Sequence, residues 1–263
     1  MKIPTVLCLS GLDPSGGAGL QADIETLGAL HCYALPITTC LTVQNTQGVT
    51  QITPVKAALV AQQIQTLLSD ICPNYIKVGL LGSTEIFEPL LALLEQQPAL
   101  PLVVDPILKA GGNQQNLASE MIQQKLMLEL LPRALLFLPN ASEAQTLSGQ
   151  QNIDACADVF AQAGSRYLLI TDTQPLQDKI VHALFHQGTQ IQQYEFERLP
   201  HQYHGSGCTL SSSACAFLCK GQNMETALAN ALHFTWQSLL HGHKIGAGQW
   251  LPNRFFAQYP SFS

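Results

Sequence analysis

Short apolar runs alternate with longer segments of helical periodicity along most of the chain. Several runs, such as residues 75–80, are almost continuously hydrophobic, which is typical of strands covered on both faces of a sheet. Strands are predicted at residues 5–10, 36–43, 75–80, 102–105, 134–138, 166–171 and 180–185, with an edge strand at 190–196. Helices are predicted at residues 20–30, 54–71, 86–95, 119–131, 141–147, 153–163, 209–220 and 224–241. This alternation predicts an α/β protein with a mostly parallel central sheet and helices on both faces.

Composition narrows the possible classes of function. Hydrophobic residues make up 46% of the chain and charged residues only 11%, which argues against intrinsic disorder. The net charge is −6 without any cluster of Lys or Arg, so a nucleic-acid partner is not expected. No apolar segment reaches the roughly 18 residues of a membrane span, and the cysteines show no disulfide spacing. No repeat or linker divides residues 1–263, so we expect a single domain in a soluble cytoplasmic protein.

Two glycine-rich turns each lead into a predicted helix. Residues 11–19 (GLDPSGGAG) allow either a close approach to a ligand or simply a tight strand-to-helix connection. Residues 204–209 (HGSGCT) open a helix of small residues, and the N–H groups at such a helix start suit a phosphoryl group. Cys208 falls in that first turn, where the helix dipole lowers the pKa of a thiol and favours the thiolate. A tight turn with a buried cysteine is the structural alternative.

Polar side chains follow several predicted strands at their carboxyl ends, where ligands bind in parallel sheets. Gln44 offers a donor and an acceptor side by side, which suits an aminopyrimidine edge but is also ordinary loop chemistry. Asp105 and Glu143 place carboxylates at the same edge and suit Mg²⁺. Asn140, three residues before Glu143, is equally well explained as a helix cap.

Asp23 and two histidines are polar residues on predicted helices and strands. Asp23 lies on the apolar stripe of its helix, so it needs either a ligand donor or a protein donor; a favourable interaction with the helix dipole is an equal alternative. His182 and His186 are four residues apart on a predicted strand, too far apart to share a metal. The histidine pattern therefore predicts no zinc site.

In their order along the chain, these motifs resemble those of the hydroxymethylpyrimidine/phosphomethylpyrimidine kinases of the ribokinase-like superfamily. The motifs are GxDPSGGAG at 11–19, QAD at 21–23, QNT at 44–46, DP at 105–106, NxxE at 140–143, GxGCT at 205–209 and GAG at 246–248. Each motif is modest alone, but their joint order is specific and spans most of the chain. The resemblance implies a ribokinase-like three-layer α/β sandwich, ATP and Mg²⁺ as cofactors, and a homodimer.

The resemblance also implies a reaction and a role for each matching residue. The reaction transfers the γ-phosphate of ATP to 4-amino-5-hydroxymethyl-2-methylpyrimidine and then to its monophosphate, in thiamine biosynthesis. Cys208 falls where the wider superfamily has an aspartate as catalytic base, so it would take the proton of the substrate hydroxyl. The resemblance assigns Gly205, Ser206 and Gly207 to the anion hole, Gly11, Asp23, Gln44, Leu80 and Ile107 to the substrate, Lys109, Asn140, Thr171 and Gly246 to the nucleotide, and Asp105 and Glu143 to the metal.

Two positions depart from the family pattern. Ser206 stands where threonine is usual, which keeps the hydroxyl, whereas residues 172–174 read Asp-Thr-Gln where the family commonly has Lys-Gly-Gly. Asp172 thus replaces a cation at the end of the site assigned to nucleotide phosphates. Pyridoxal kinase is the nearest alternative function, but its relatives with the Gly-x-Gly-Cys motif carry a second cysteine in the flap, and residues 107–117 have none. A further alternative is a catalytically silent protein that binds a pyrimidine or has a regulatory role. Asp172 favours this alternative, whereas Cys208 argues against it.

Overall fold

One nine-stranded sheet forms the centre of the computed structural model, which describes residues 3–174 and 176–258. Its strands are β1 (Thr5–Leu12), β2 (Tyr33–Asn45), β3 (Gly48–Pro54), β4 (Tyr75–Val78), β5 (Leu102–Val104), β6 (Leu136–Phe137), β7 (Tyr167–Ile170), β8 (Lys179–His186) and β9 (Thr189–Glu197). They lie side by side in the order β3-β2-β1-β4-β5-β6-β7-β8-β9. All pairings from β2 to β7 are parallel, and those at the two edges are antiparallel.

Helices cover both faces of this sheet. They are α1 (Gly19–Ala29), α2 (Ala57–Leu68), α3 (Phe87–Gln96), α4 (Glu120–Lys125), α5 (Ala141–Ser148), α6 (Ile153–Gln162), α7 (Ser206–Cys219) and α8 (Met224–Leu240). Because successive strand residues point to opposite faces, Leu7 and Leu9 pack in the core that includes α2, α3, α5 and α6. Val6 and Cys8 pack in a second core with α1, α7 and α8. The predicted mostly parallel sheet with two helical layers is confirmed.

Two differences from the predicted elements have local causes. Strand β3 was not predicted, because Gly48–Pro54 contains only two apolar residues, Val49 and Ile52, and pairs only at the sheet edge. The helix predicted at 119–131 ends as an α-helix at Lys125 and continues as a π-helical segment, Leu126–Leu130, before a 3₁₀ turn containing Pro132. The predicted edge position of residues 190–196 is confirmed by β9.

The carboxyl ends of the parallel strands meet the start of α7. The connection from β1 to α1, the residues after β5 and β6, and Gly205 before α7 therefore come together at one end of the sheet. Among the helices in the described ranges, none is long and apolar enough to cross a membrane.

Candidate active site

A cavity of about 700 Å³ opens at this end of the sheet, a size that is typical of small-molecule sites. All but two of the residues that the sequence assigned to a site line it: Gly11, Gln44, Leu80, Asp105, Ile107, Lys109, Asn140, Glu143, Thr171, Gly205, Ser206, Gly207 and Cys208. One part of the wall is apolar and consists of Ile180, Phe196, Leu232, Trp236 and Leu239. The cavity therefore combines anion-binding backbone, carboxylates and an apolar surface.

Asp23 and Gly246 do not line the cavity. Asp23 is fully buried and accepts hydrogen bonds from Lys77 Nζ at 2.9 Å and from Ser212 Oγ at 2.7 Å. The prediction that Asp23 lies beside the substrate is wrong for this structure. Both groups that donate hydrogen bonds to Asp23 belong to the protein itself. Gly246 packs against Thr46, and a Cβ at this position would overlap the Thr46 hydroxyl. The absence of a side chain at Gly246 is thus explained by this contact rather than by a ligand in the cavity.

The start of α7 presents backbone without a side-chain cap. Gly205 precedes the helix with φ +86, a conformation that favours glycine, and a Cβ there would overlap the carbonyl of Gly17. The carbonyl of Gly205 accepts hydrogen bonds from Thr209 N at 3.0 Å and from Thr209 Oγ1 at 2.9 Å. Because no side chain caps the first turn, its N–H groups are available to an anion in the cavity.

Cys208 lies in that first turn and is 5% exposed. Burial raises the pKa of its thiol to about 12, although the Lys77 charge and the Gly19 N–H lower it. The expectation that Cys208 is a thiolate is wrong for this structure, because burial raises the pKa of the thiol by more than Lys77 and the Gly19 N–H lower it. At neutral pH the structure holds Cys208 as a thiol.

Two carboxylates, the buried Asp105 and the partly buried Glu143, face the same cavity. Burial raises the pKa of Asp105 to about 6, opposed mainly by Lys77. Burial, and then the charge of Asp105, raises the pKa of Glu143 to about 8. A cation between or beside these carboxylates would relieve both the desolvation and the repulsion, so this pair fits Mg²⁺. Within residues 3–174 and 176–258 there is no cluster of three or more metal-ligating side chains, so phosphate and water oxygens would complete the coordination.

Asn140 and Glu143 also form a capping box at the start of α5. Asn140 Oδ1 accepts from Glu143 N at 2.9 Å, and Glu143 Oε2 accepts from Asn140 N at 2.9 Å. Glu143 Oε1 accepts from Leu108 N at 3.2 Å, which ties the flap to α5. The capping explanation for Asn140 is confirmed, and the same hydrogen bonds orient the Glu143 carboxylate within the cavity wall.

An Asp13–His204 pair in the cavity was not found from the sequence. Asp13 Oδ2 lies 2.8 Å from His204 Nε2, although the two residues are 191 positions apart. Asp13 also accepts from Ser15 N at 2.7 Å and from Ala18 N at 2.9 Å, so it organises the first glycine loop. Burial opposes its ionisation, but hydrogen bonds from His204, Ser15 and Gln44 hold the pKa of Asp13 well below its usual range. The pair joins the first glycine loop to the residue before Gly205.

His182, which the sequence pattern brought up only as half of a rejected metal pair, also lines the cavity. It is 7% exposed on β8, and its Nδ1 accepts from Asp172 N at 3.4 Å. Burial lowers the pKa of His182 to about 4, with Asp172 raising it and Arg198 lowering it. Asp172 has φ +53 and its carboxylate binds Arg198 Nη2 at 2.7 Å. The anion that replaces the family lysine is therefore paired with a guanidinium.

The buried His182 predicts a loss of stability in mild acid. Its pKa is depressed in the folded state, so the unfolded chain takes up the proton first, and stability falls as the pH drops from 6.5 towards 4. Between pH 7 and pH 5, we expect the wild type to lose roughly 2 kcal/mol more than His182→Gln. Urea unfolding at both pH values measures this difference. His186→Gln, on the same strand, controls for the substitution itself, and equal losses in the wild type and His182→Gln would contradict the prediction.

The sheet, its two helical layers and the helix start beside two carboxylates define a ribokinase-like kinase fold. The pyridoxal kinase from Staphylococcus aureus in complex with AMP-PCP and pyridoxal superposes with a TM-score of 0.87 at 27% identity, covering 97% of this chain and 94% of that chain. The phosphomethylpyrimidine kinase from Clostridium difficile 630 superposes with a TM-score of 0.75 at 29% identity, covering 90% of this chain and 99% of that chain. The family model for phosphomethylpyrimidine kinase matches residues 13–253, and the chain belongs to that family.

Two curated relatives align with nearly the whole chain. The hydroxymethylpyrimidine/phosphomethylpyrimidine kinase of Bacillus subtilis is 28% identical over 261 residues, 97% of this chain and 96% of that protein. The thiamine biosynthesis bifunctional protein ThiED of Geobacter sulfurreducens is 32% identical over 259 residues, 96% of this chain and 52% of that protein. The chain thus spans about half the length of that bifunctional relative. The family resemblance drawn from the sequence motifs is confirmed.

Proposed function

We propose that this protein transfers the γ-phosphate of ATP to 4-amino-5-hydroxymethyl-2-methylpyrimidine and then to its monophosphate, as in thiamine biosynthesis. The observation that carries this proposal is one cavity lined by the uncapped start of α7, the carboxylates of Asp105 and Glu143, and the amide of Gln44. Membership of the phosphomethylpyrimidine kinase family supports the same reaction.

Gln44 is the candidate partner of the pyrimidine ring. Its side chain hydrogen-bonds to Asp13, which accepts and is held ionised by its other donors. The Gln44 NH₂ group is therefore the donor to Asp13, and its carbonyl oxygen remains available to accept from an exocyclic amine. This orientation selects an aminopyrimidine edge.

Gln44→Ala is expected to raise the KM for the pyrimidine about tenfold with a smaller change in kcat. The reason is that the variant loses the hydrogen bond from the exocyclic amine of the pyrimidine to the Gln44 side chain. Steady-state kinetics with the pyrimidine as the varied substrate measure both constants. Gln47→Ala, in the exposed turn after β2, is the matched control. A fall in kcat with an unchanged KM would remove Gln44 from substrate binding.

Cys208 is the candidate base for the substrate hydroxyl. Because burial holds its pKa near 12, the thiol must first pass its proton to a neighbouring group, and Asp105, which accepts a hydrogen bond from Cys208, is the proposed acceptor. Lys77 and the Gly19 N–H both lower the cost of the thiolate. The N–H groups of Gly205, Ser206 and Gly207 hold the phosphoryl group, while Thr171, Asn140 and Lys109 line the nucleotide end of the cavity. Mg²⁺, when bound, supplies positive charge that offsets the phosphate oxygens and the carboxylates.

Pyridoxal is the second candidate substrate, because solved pyridoxal kinases share this fold at a TM-score of 0.87. The test is ATP consumption by the purified protein with Mg²⁺ and hydroxymethylpyrimidine, with pyridoxal in a parallel reaction. Pyrimidine-dependent turnover giving the monophosphate and then the diphosphate supports the proposal. Turnover with pyridoxal alone would overturn it in favour of a pyridoxal kinase. Pyrimidine binding without turnover would instead favour a silent binding protein and would make Asp172 the first residue to replace.

We also propose that the protein is a homodimer that pairs through the hairpin of β2 and β3. Leu41 and Val43 point to the same side of β2 and are 49% and 56% exposed, and Leu12 beside Leu41 is 39% exposed. Such neighbouring exposed apolar side chains mark an interaction surface, and the family resemblance names a second copy as its occupant.

Leu41→Glu is expected to convert the dimer to a monomer, because a carboxylate would be buried without a partner at the interface. Light scattering after size-exclusion chromatography measures the mass. Leu128→Glu is the control, since Leu128 is 75% exposed and lies on the π-helical segment after α4. A monomeric wild type, or a dimer that survives Leu41→Glu, would contradict the proposal.

A further inference from the structure

Arg254 is a buried cation that lies outside both the cavity lining and the family match, which ends at residue 253. It is 2% exposed, and its guanidinium donates to groups on separate parts of the chain. Nε donates to Thr209 Oγ1 at 3.0 Å on α7, and Nη1 donates to Glu25 Oε2 at 2.9 Å on α1. Nη1 and Nη2 donate to the carbonyls of Gly16 and Gly17. One planar group therefore connects the first glycine loop, α1 and the start of α7.

The contacts of Arg254 reach the anion hole through Thr209. The Thr209 hydroxyl accepts from Arg254 and donates to the carbonyl of Gly205 at 2.9 Å. Gly205 packs directly on the carbonyl of Gly17, with no room for a side chain between them. The two glycine turns that border the cavity thus meet backbone to backbone, and the guanidinium holds both of them at this junction.

The chemistry of arginine suits this role better than that of other residues. The planar fork can donate to several acceptors at fixed angles, whereas a lysine ammonium cannot reproduce the fork. The charge is balanced by Glu25, whose side chain is 27% exposed. Stability alone does not require such an arrangement, because a well-packed apolar side chain often stabilises a core as well as a buried ion pair does.

We propose that Arg254 is a positioning residue for phosphoryl transfer, which holds the loop at residues 13–19 and the anion hole at residues 205–208 in fixed relation. This role rests on the proposed function, because phosphoryl transfer to the pyrimidine is the reaction that Arg254 would affect. Phosphoryl transfer depends mainly on positioning and charge stabilisation. A displacement of about 1 Å can cost on the order of 10²-fold in rate, so the loss of the fork is expected to change kcat.

Kinetics of Arg254→Met and Arg254→Lys in the full chain test this role. We expect kcat to fall by about 10- to 100-fold in both variants, with the KM for the pyrimidine changed less than about threefold. Arg133→Met is the matched control, since Arg133 is exposed and donates to the carbonyl of Glu129. Circular dichroism at the assay temperature confirms that each variant is folded. An unchanged kcat per folded molecule, or full activity in Arg254→Lys, would overturn the proposal.

Amide hydrogen exchange gives a readout that does not depend on activity. In Arg254→Met, peptides covering residues 13–19 and 204–209 should exchange about tenfold faster or more, while peptides from β4 and β5 keep the wild-type rate. Unchanged exchange in both glycine turns, or an equal increase across the whole chain, would overturn the positioning role. If the wild type transfers no phosphate, the proposed function fails by itself, and the exchange comparison still decides whether Arg254 couples the two turns.

Discussion

Cys208→Ala is expected to lower kcat for phosphoryl transfer by about 10²- to 10⁴-fold while the protein remains folded. The side chain lies in the cavity at the uncapped start of α7, which is where the proposed function places the substrate hydroxyl and the phosphoryl group. Alanine keeps the helix start and its N–H groups but cannot accept a proton. Fixed-time assays with the pyrimidine and ATP measure kcat, and urea unfolding measures the stability of the variant.

Two further variants separate the chemistry from the packing. Cys215→Ala removes a fully buried thiol from the same helix, seven residues further along, and is expected to keep wild-type kcat. Cys208→Asp introduces the aspartate that the resemblance to the wider superfamily implies as the base at this position. This variant is expected to recover part of the activity lost in Cys208→Ala. Full activity in Cys208→Ala would remove Cys208 from the mechanism and leave the anion hole and the carboxylates as the catalytic groups.

Most of the fold was predictable because the information for it is local. The apolar runs that became β1 and β5 are hydrophobic in consecutive positions, and the run that became β4 is interrupted only by Lys77. The helical stretches between them carry their own periodicity. Strand β3 carried too little local information, since its place depends on pairing with β2 rather than on its own composition. Edge strands with few apolar residues are generally the least visible in a sequence.

The same distinction explains which parts of the site were found. Glycine turns, a carboxylate directly after a strand such as Asp105, and the helix-start motif of Asn140 and Glu143 are visible as short motifs, and the fold brings them to one cavity. The Asp13–His204 pair joins residues 191 positions apart, so only the packed structure shows it. The pKa of Cys208 was predicted in the wrong direction, because the sequence shows the helix dipole but not the depth of burial.

The pair of Lys77 and Asp23 also depends on packing, because its residues come from β4 and α1. Both side chains are completely buried, 2.9 Å apart, behind the start of α7. Burial opposes the charge on Lys77, but Asp23 above all, followed by Cys208 and Asp105, holds the pKa of Lys77 above its ordinary value. The ammonium is thus the positive charge around which these acidic groups are arranged.

Lys77→Met is expected to lower the free energy of unfolding by about 3–5 kcal/mol, because it leaves the Asp23 carboxylate buried without its cation. Asp23 Oδ2 already has no hydrogen-bond partner in the part of the chain that the structure describes, so Ser212 alone would remain. The Lys77→Met, Asp23→Asn double variant removes both charges and should recover most of this loss. Urea unfolding at pH 7 measures all three proteins.

Lys125→Met is the matched control for this experiment, because it breaks a pair of similar length at the surface. Lys125 Nζ lies 2.8 Å from Glu129 Oε1, and both side chains are about one-third exposed, at 31% and 30%. Water screens such a pair, so its loss should cost at most about 0.5 kcal/mol. A large loss for Lys77→Met and a small loss for Lys125→Met would show that burial sets the contribution of the pair. Equal losses, or a double variant as unstable as Lys77→Met, would show instead that the methionine side chain packs poorly at this position.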